Sequence, residues 1–260
     1  MGFHQFRGDS WEWADREVVN ERPLTVNVNG KELVRFLCTP EKLTYLVVGF
    51  LYYEGIIRGI EDLVVVRVCE EEGVADVQIE GELHLPEKRA ITSGCGGGIT
   101  YNIDFKAESL ENEACEVTPE QLFDRMADLY EHAVKYKDTR GIHASALAAP
   151  NELLAFAEDV GRHNTLDKLL GEALLRQLSG RAKILLSSGR ISSEMLLKAA
   201  KMRVPIVVSR TSPTTLAIDL AERLGMTVIG YLRRGSFNLY THGHRIQGLV
   251  LPVGSSKITS

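Results

Sequence analysis

The feature that most constrains this chain is the alternation of short apolar strands with helices after residue 118. Residues 184–186 and 206–208 are continuous apolar runs, which are typical of strands covered on both faces by helices. Helices are predicted at about 118–135, 164–178, 192–201 and 213–224, and strands at 143–149, 153–157, 183–187, 205–208 and 227–231. The pattern predicts a three-layer α/β domain over residues 117–260.

Residues 1–116 have a different pattern, which predicts a small α+β domain. Residues 24–28 and 31–38 alternate around Asn29-Gly30, a type I′ turn pair, and form a hairpin. Thr39-Pro40-Glu41 has the form of the N-cap, first position and first-turn acid of a helix that reaches Tyr53. Strands at 63–70 and 74–81 complete a sheet, and residues 104–117 form the connector.

Charge is divided unequally between the two halves. Residues 1–116 carry 11 Lys and Arg and 22 Asp and Glu, a net charge of −11, whereas residues 117–260 carry 19 and 13, a net charge of +6. One interpretation is an anionic ligand held by the C-terminal half. The alternative is that the halves attract each other, or that the charges are solvated. Since no Lys/Arg cluster is interleaved with aromatic residues, no nucleic-acid partner is expected.

Composition excludes several other classes of protein. The 260 residues, 44% hydrophobic and 25% charged, are ordinary for a globular chain. The longest uncharged stretch has 14 residues, fewer than the ~18 that a membrane span needs. The N-terminus lacks the apolar region of a signal peptide, so a cytoplasmic location without a membrane partner is expected. The four cysteines form no Cys-x-x-Cys pair, so no cysteine zinc site is indicated.

One cysteine lies in an unusual glycine-rich stretch. Cys95 has Gly94 before it and three glycines, ending at Gly98, after it. This composition disfavours helix and strand, and predicts a loop that could present a reactive thiol. The alternative is a glycine-rich turn with an incidental cysteine. Cys38 and Cys69 fall in strand patterns and are predicted to be core residues, whereas Cys115, in the connector, is uninformative.

Two loops that follow predicted strands carry hydroxyl groups and an arginine each. Residues 187–194 include Arg190, and residues 209–214 begin with Ser209 and Arg210. Because strand carboxyl ends and helix amino ends together form anion sites in α/β folds, the pair of loops would suit a pyrophosphate. The alternative is ordinary helix capping by Ser192 and Ser212 with surface arginines.

Two further segments could contribute to a site. Residues 158–164 contain two acids and a histidine, and could orient an acid or base; the alternative is an acidic turn with Asn164 as a helix N-cap. A late strand, whose aromatic residues could be core or a stacking wall for a base, comprises Phe237, Asn238, Leu239, Tyr240, Thr241 and His242. His143 and the His242/His244 pair lack further ligands at metal spacing, so no metal site is predicted.

Together these segments resemble the FdhD family, the formate dehydrogenase accessory sulfurtransferases. The resemblance runs from residue 22 to about residue 246. It is carried by Arg22-Pro23-Leu24, Ser93-Gly94-Cys95-Gly96, Gly141-Ile142-His143-Ala144, Glu158-Asp159-Val160-Gly161-Arg162-His163-Asn164, Ser188-Gly189-Arg190 and Ser209-Arg210-Thr211-Ser212-Pro213.

The resemblance implies a sulfur relay. A cysteine desulfurase would load sulfur onto Cys95 as a persulfide, and the persulfide would pass it to the molybdenum bis(guanine dinucleotide) cofactor of a formate dehydrogenase. The cofactor would be held by the stretch from Phe237 to His242, and the basic loops with Arg190, Ser209 and Arg210 would suit its pyrophosphates. The resemblance also implies a homodimer and a cytidine deaminase-like fold for the larger domain.

Two departures limit what the resemblance implies. His143-Ala144-Ser145 lacks the deaminase glutamate and no Pro-Cys-x-x-Cys follows, so zinc hydrolysis is excluded. Many family members have Cys-x-x-Cys in the loop, whereas Gly98 stands where the second cysteine would be, so a mechanism with a resolving thiol is in doubt. Two alternatives stay open: a cofactor chaperone that does not use Cys95, and a nucleotide-binding regulator of unrelated function.

Overall fold

The computed structural model describes residues 1–83, 90–91, 99–100 and 108–249. The strands are β1 Gly2–Arg7, β2 Ser10–Asp15, β3 Arg22–Val28, β4 Lys31–Cys38, β5 Leu63–Cys69, β6 Val74–Ile79, β7 Ala90–Ile91, β8 Ile99–Thr100, β9 His143–Ala149, β10 Glu152–Asp159, β11 Ile184–Ser187, β12 Ile206–Ser209, β13 Thr227–Arg233 and β14 Ser236–Thr241. The helices are α1 Leu43–Tyr53, α2 Pro119–His132, α3 Val134–Thr139, α4 Arg162–Leu175, α5 Ser193–Lys201 and α6 Thr215–Leu224. No described helix is long and apolar enough to span a membrane.

The larger sheet has six strands in the order β10-β9-β11-β12-β13-β14. β11, β12 and β13 are parallel to one another, and β9 pairs antiparallel with β11. One face packs against α4, α5 and α6 in a core that contains Leu147, Leu185 and Val207. The opposite face packs against α2 around Ala146, Leu186 and other residues. The predicted covering of this sheet on both faces is therefore present, while its likeness to cytidine deaminase stays a prediction.

The smaller sheet has four strands in the order β4-β3-β6-β5, covered by α1. The predicted β3–β4 hairpin is confirmed: Asn29 and Gly30 have φ values of 49° and 78°, as a type I′ turn requires. A separate hairpin of β1 and β2, which the sequence did not indicate, leaves Trp11 and Trp13 exposed.

The two sheets are joined where α1 crosses α4. A Cβ atom at Gly49 of α1 would collide with the carbonyl oxygen of Asp167, and one at Gly171 of α4 with that of Tyr45. Each helix therefore has a glycine where the two backbones approach most closely. Part of the predicted connector packs on the larger sheet: Leu110 is buried, and its N–H donates to Leu224 O at 2.7 Å. The boundary at 116/117 stays a prediction.

One predicted helix start, and the caps named in two alternative interpretations, differ from the structure. Helix α1 begins at Leu43, after Lys42 in a left-handed conformation, because the hydroxyl of Thr39 accepts from Val160 N instead of capping the helix. Helix α4 has Gly161, not Asn164, as its N-cap, because the Asn164 amide donates to Asp159. Thr214, not Ser212, caps α6, whereas Ser192 caps α5, as the alternative interpretation of that loop has it.

Candidate functional site

The candidate site lies at the edge of the larger sheet where β11 and β12 end. Ser187 pairs with Ser209 across these two strands and with Ser145 of β9. At the same edge β10 ends, with Asp159 opposite His143. The fold thus brings together the two arginine loops and the 158–164 segment, as the positions of strand ends in an α/β sheet lead one to expect.

Hydroxyl groups form the framework of the arginine loops. Ser209 Oγ donates to Gly189 O at 2.6 Å and accepts from Thr211 N at 3.0 Å. Ser187 Oγ accepts from Gly189 N at 3.1 Å, and Ser188 Oγ accepts from Ala144 N at 3.0 Å. Ser209 is fully buried. Its hydroxyl group therefore holds the shape of the loops.

Gly189 allows the loop to pass close to a histidine and an arginine. A Cβ atom there would lie 3.3 Å from His143 Nδ1 and 3.5 Å from Arg162 Cβ, so a larger residue would displace one of them. Burial, and then the charge of Arg162, lower the pKa of His143. The imidazole at this point of the edge is therefore neutral at pH 7.

The two acids of the 158–164 segment have structural partners. Asp159 pairs with Lys168 of α4 at 2.6 Å, and both side chains are fully buried. Its carboxylate also accepts from Thr39 N at 3.1 Å, Gly161 N at 2.9 Å and Asn164 Nδ2 at 2.8 Å. Glu158 Oε1 accepts from Tyr136 N at 2.7 Å. The segment thus orients the start of α4 instead of presenting a free carboxylate.

The histidine of the same segment contacts the start of α5. His163 Nε2 lies 3.5 Å from Glu194 Oε2, and Glu194 Oε1 lies 3.2 Å from Lys198 Nζ. Burial lowers the pKa of His163 to about 4, although Glu194 opposes the shift. Lys198 also pairs with buried Asp167 at 2.8 Å. Burial alone would lower the pKa of Lys198, but these carboxylates outweigh it and keep the ammonium charged.

The two predicted arginines lie in the loops that follow β11 and β12. Arg190 is exposed at the tip of its loop, and the guanidinium of Arg210 lies over the Tyr130 ring, with Cζ 4.9 Å from its centroid. Neither forms an ion pair with a carboxylate in the described parts of the chain. Cations without an acidic partner at strand and helix ends are suited to bind an anion.

The predicted cofactor stretch from Phe237 to His242 is only partly at this edge. Phe237, next to the turn that follows β13, packs on Phe123 at 6.0 Å between ring centroids. Tyr240 approaches Thr211 and Pro213 across Gly230, where a Cβ atom would lie 3.0 Å from all three. His242 lies beyond the other end of β14, where its Nε2 contacts Glu222 O at 3.0 Å. The five steps from Phe237 to His242 span about 17 Å at the rise of an extended chain, so the six side chains do not form one compact group.

A cavity of about 480 Å³ opens beside the edge, in the size range of small-molecule sites. It borders the site through Thr39, which binds Asp159, and Ile142, which precedes His143. Its other lining residues are Met1, Glu17, Val18, Val19, Asn20, Lys135 and Thr139.

The predicted sulfur carrier, Cys95, lies outside the described residues, and so does Gly98. Cys38 is buried, as predicted, and burial raises its pKa to about 12. Burial also raises the pKa of Cys115, whereas Cys69 is half-buried on β5. The described part of the chain contains no group of three His, Cys, Asp or Glu that could hold a metal ion.

Some residues of the site were not found from the sequence. Lys168 and Lys198 are charged residues on the buried faces of helices, a pattern that indicates buried acidic partners. Tyr130 gave no signal, because Arg210, whose guanidinium lies over its ring, comes from a distant segment.

Comparison with known proteins shows which family the chain belongs to. The model of the FdhD/NarQ family matches residues 19–247. The chain belongs to the FdhD/NarQ family. The sulfur carrier protein FdhD of Bacillus subtilis is 41% identical over 252 residues, which cover 92% of this chain and 96% of the relative. That of Geobacillus kaustophilus is 41% identical over 249 residues, covering 93% and 94%.

A solved structure supports the family fold. The crystal structure from Desulfotalea psychrophila, described as a formate dehydrogenase accessory protein, matches with a TM-score of 0.77 and 25% identity. The match covers 95% of this chain and 97% of that one. The family match includes the six-stranded and four-stranded sheets, the six described helices and the loops with Arg190 and Arg210.

Proposed function

We propose that this chain is a sulfur carrier that supplies sulfur to the molybdenum cofactor of a formate dehydrogenase. Membership of the FdhD/NarQ family carries the proposal, because the match covers both sheets and relatives across nearly the whole chain are named sulfur carrier proteins. The sheet edge supports it, because its arginines without acidic partners suit a pyrophosphate-bearing cofactor.

The relay has two balanced steps. In the first, the Cys95 thiolate attacks the terminal sulfur of a persulfide on a cysteine desulfurase, and the donor cysteine leaves as a thiolate. In the second, the sulfur–sulfur bond breaks, the molybdenum of the substrate cofactor supplies two electrons and gains the sulfur, and Cys95 returns to a thiolate. Neither step needs a second thiol, so the glycine at position 98 is compatible with the relay.

The rest of the protein binds and orients the substrate. Arg190 and Arg210 bind phosphate groups, while the buried serine hydroxyls keep the two loops in place. Phe237 and Tyr240 approach this edge from opposite faces of the larger sheet, Phe237 on the face covered by α2 and Tyr240 on the face covered by α4, α5 and α6. Cys38 and Cys115 are poor candidates for the carrier thiol, because burial raises the pKa of both and disfavours the thiolate. The desulfurase and the dehydrogenase are the proposed partners, and a homodimer is the proposed assembly.

The deciding experiment uses a strain that lacks its own copy of the protein. Cys95→Ala should abolish formate dehydrogenase activity while leaving GDP binding intact. Cys69→Ala is the matched control and should support full activity. Mass spectrometry after incubation with a cysteine desulfurase and cysteine should find one added sulfur atom on Cys95. Full dehydrogenase activity with Cys95→Ala would instead favour a cofactor chaperone, and GDP binding without cofactor binding would favour a nucleotide-binding regulator.

A further inference from the structure

The β1–β2 hairpin carries a row of aromatic side chains on one of its faces. Directly opposite residues of paired strands share a face, and the pairs here are His4 with Trp13 and Phe6 with Trp11. The ring centroids are 4.9 Å apart in the first pair and 5.2 Å apart in the second. Gly2 leaves room for the ring of Trp13, because a Cβ atom there would collide with it. The side chains of the two pairs are called the aromatic row below.

The aromatic row is exposed to solvent. Phe6, Trp11 and Trp13 are 55%, 69% and 66% exposed, and at ~150–250 Å² for each side chain they present ~300–500 Å² of surface. Soluble monomers rarely expose a contiguous apolar patch of more than a few hundred Å². A two-stranded hairpin is also only marginally stable in water when nothing packs against it. Both considerations indicate that another surface covers the aromatic row.

Charge favours a second copy of the chain as that surface. The whole chain has a net charge of −5, so two copies repel each other across most of their surfaces. On the face with the aromatic row, Asp15 is the one acid, and it pairs with the amino group of Met1 at 3.0 Å. A contact with two-fold symmetry brings the same patch against itself, so this face can pack on its copy without opposing like charges. An anionic lipid surface or a nucleic acid fits less well, because residues 2–17 include four acids and two arginines.

The area of the aromatic row also suits such a contact. Two copies would bury ~600–1,000 Å² through Phe6, Trp11 and Trp13, whereas a stable interface buries ~1,200–2,000 Å² in total. The three rings therefore supply a large part of the area, and Gly2, His4 and the strand backbones are available for the rest. Two hairpins packed face to face, about 10 Å apart, would form a two-layer core that neither hairpin has alone.

We propose that the aromatic row is an interface between two copies of this chain, in which the two hairpins pack face to face around a two-fold axis. The inference goes beyond the proposed function, which names no surface for the homodimer. It also concerns a segment that precedes residue 19, where the match to the family model begins. The opposite face of the hairpin, which carries Phe3, takes no part in the contact.

Sedimentation velocity and tryptophan emission of the full chain, followed from nanomolar to high micromolar concentration, test the proposal. Trp11 and Trp13 are the two tryptophans of the chain, so the emission reports on the aromatic row. In the wild type the emission should move to shorter wavelength as the dimer forms. Phe6→Ser should raise the dissociation constant of the dimer at least tenfold and keep the emission of exposed tryptophan at concentrations where the wild type is dimeric. Phe3→Ser, the matched control on the opposite face, should change neither result.

Three outcomes would overturn the proposal. The first is a wild type that stays monomeric over the whole range of concentration. The second is a dimer that persists unweakened in Phe6→Ser, because the copies would then associate through another surface. The third is an emission shift that needs added vesicles of phosphatidylcholine, because the occupant would then be a lipid surface.

A second pair of variants keeps the proposal testable if Phe6→Ser unfolds the hairpin. Phe6→Lys and Phe6→Glu should each stay monomeric, because each places like charges in the contact, whereas an equimolar mixture should associate, because opposite charges then meet. A mixture that associates no more tightly than either variant alone would refute the face-to-face contact. None of these measurements depends on Cys95, so their failure leaves the sulfur relay standing, and failure of the Cys95 test leaves the interface standing.

Discussion

Replacement of Asp159 by asparagine should cost a large part of the stability of the larger sheet. The substitution keeps the shape of the side chain and removes its charge. Asp159 is fully buried and pairs with Lys168, which is also fully buried, at 2.6 Å. In Asp159→Asn the ammonium of Lys168 would keep only the carbonyl oxygens of Thr39 and Glu158, at 3.0 and 3.1 Å.

The expected loss follows from the buried charge that remains. Breaking a buried ion pair by removing one partner costs about 3–5 kcal/mol, because the other charge is left uncompensated. The asparagine also lacks one of the acceptor oxygens that serve Thr39 N, Gly161 N and Asn164 Nδ2. These bonds share the carboxylate with the ion pair, so their loss is included in the same range and is not added to it.

Urea unfolding followed by circular dichroism measures the free energy of unfolding. Tryptophan fluorescence is unsuitable, because Trp11 and Trp13 both lie in the exposed β1–β2 hairpin. Asp159→Asn and Lys168→Met should each lose about 3–5 kcal/mol, and the double variant should lose clearly less than the sum. Glu152→Gln is the control: it breaks the exposed pair with Arg181 and should change the free energy by less than about 1 kcal/mol. Additive losses in the double variant would refute the coupling.

Three further predictions concern single residues. Gly98→Cys should shorten the lifetime of the persulfide on Cys95, with release of sulfide and formation of a disulfide, because a second thiolate can attack the first sulfur; equal decay rates in the two proteins would make position 98 irrelevant. In the folded protein at pH 8 Cys38 should resist iodoacetamide and become reactive only in denaturant, because burial raises its pKa to about 12; mass spectrometry of the labelled peptides checks this. The pKa of His163 is about 4 in the folded protein and 6.5 in the unfolded chain. As the pH falls, the unfolded chain therefore takes up a proton on His163 before the folded protein does. Its contribution to stability is therefore complete above about pH 6.5, and up to about 3 kcal/mol is lost as the pH falls toward 4; His163→Gln should flatten the stability profile measured over that interval.

Local patterns predicted the elements of the fold but not all of their boundaries. The Asn29-Gly30 hairpin, the Thr118 capping box and the apolar runs of β11 and β12 depend on neighbouring residues, and all are present. The errors at Thr39 and Asn164 have a common cause. Both residues bond to Asp159 or its neighbour Val160. Thr39 is 120 residues away from Asp159 in the chain, so its local capping pattern was overridden by a contact that no sequence window contains.

The sequence likewise predicted some residues of the candidate site and not others. The arginine loops follow strand ends, and the topology of α/β sheets brings such ends together, so Arg190 and Arg210 could be found without a structure. Tyr130 could not be found, because which aromatic ring lies under Arg210 depends on how α2 packs on the sheet. The stretch from Phe237 to His242 was predicted as a unit, but an extended strand separates its ends.

The structure also explains the unequal charge of the two halves, for which the sequence left two interpretations open. Several cations of the basic half pair with carboxylates of the acidic half: Lys135 with Glu41, and Lys183 and Arg203 with Glu113. Attraction between the halves therefore accounts for part of the imbalance.

A different set of cations remains at the sheet edge. Arg190 and Arg210 have no carboxylate partner among the described residues, although the chain carries more acidic than basic side chains. Attraction between the halves does not account for these arginines, because neither of them pairs with a described carboxylate of the other half. Because the chain as a whole carries a net charge of −5, arginines without an acidic partner at this sheet edge would attract an anionic ligand to the edge in preference to the acidic parts of the surface.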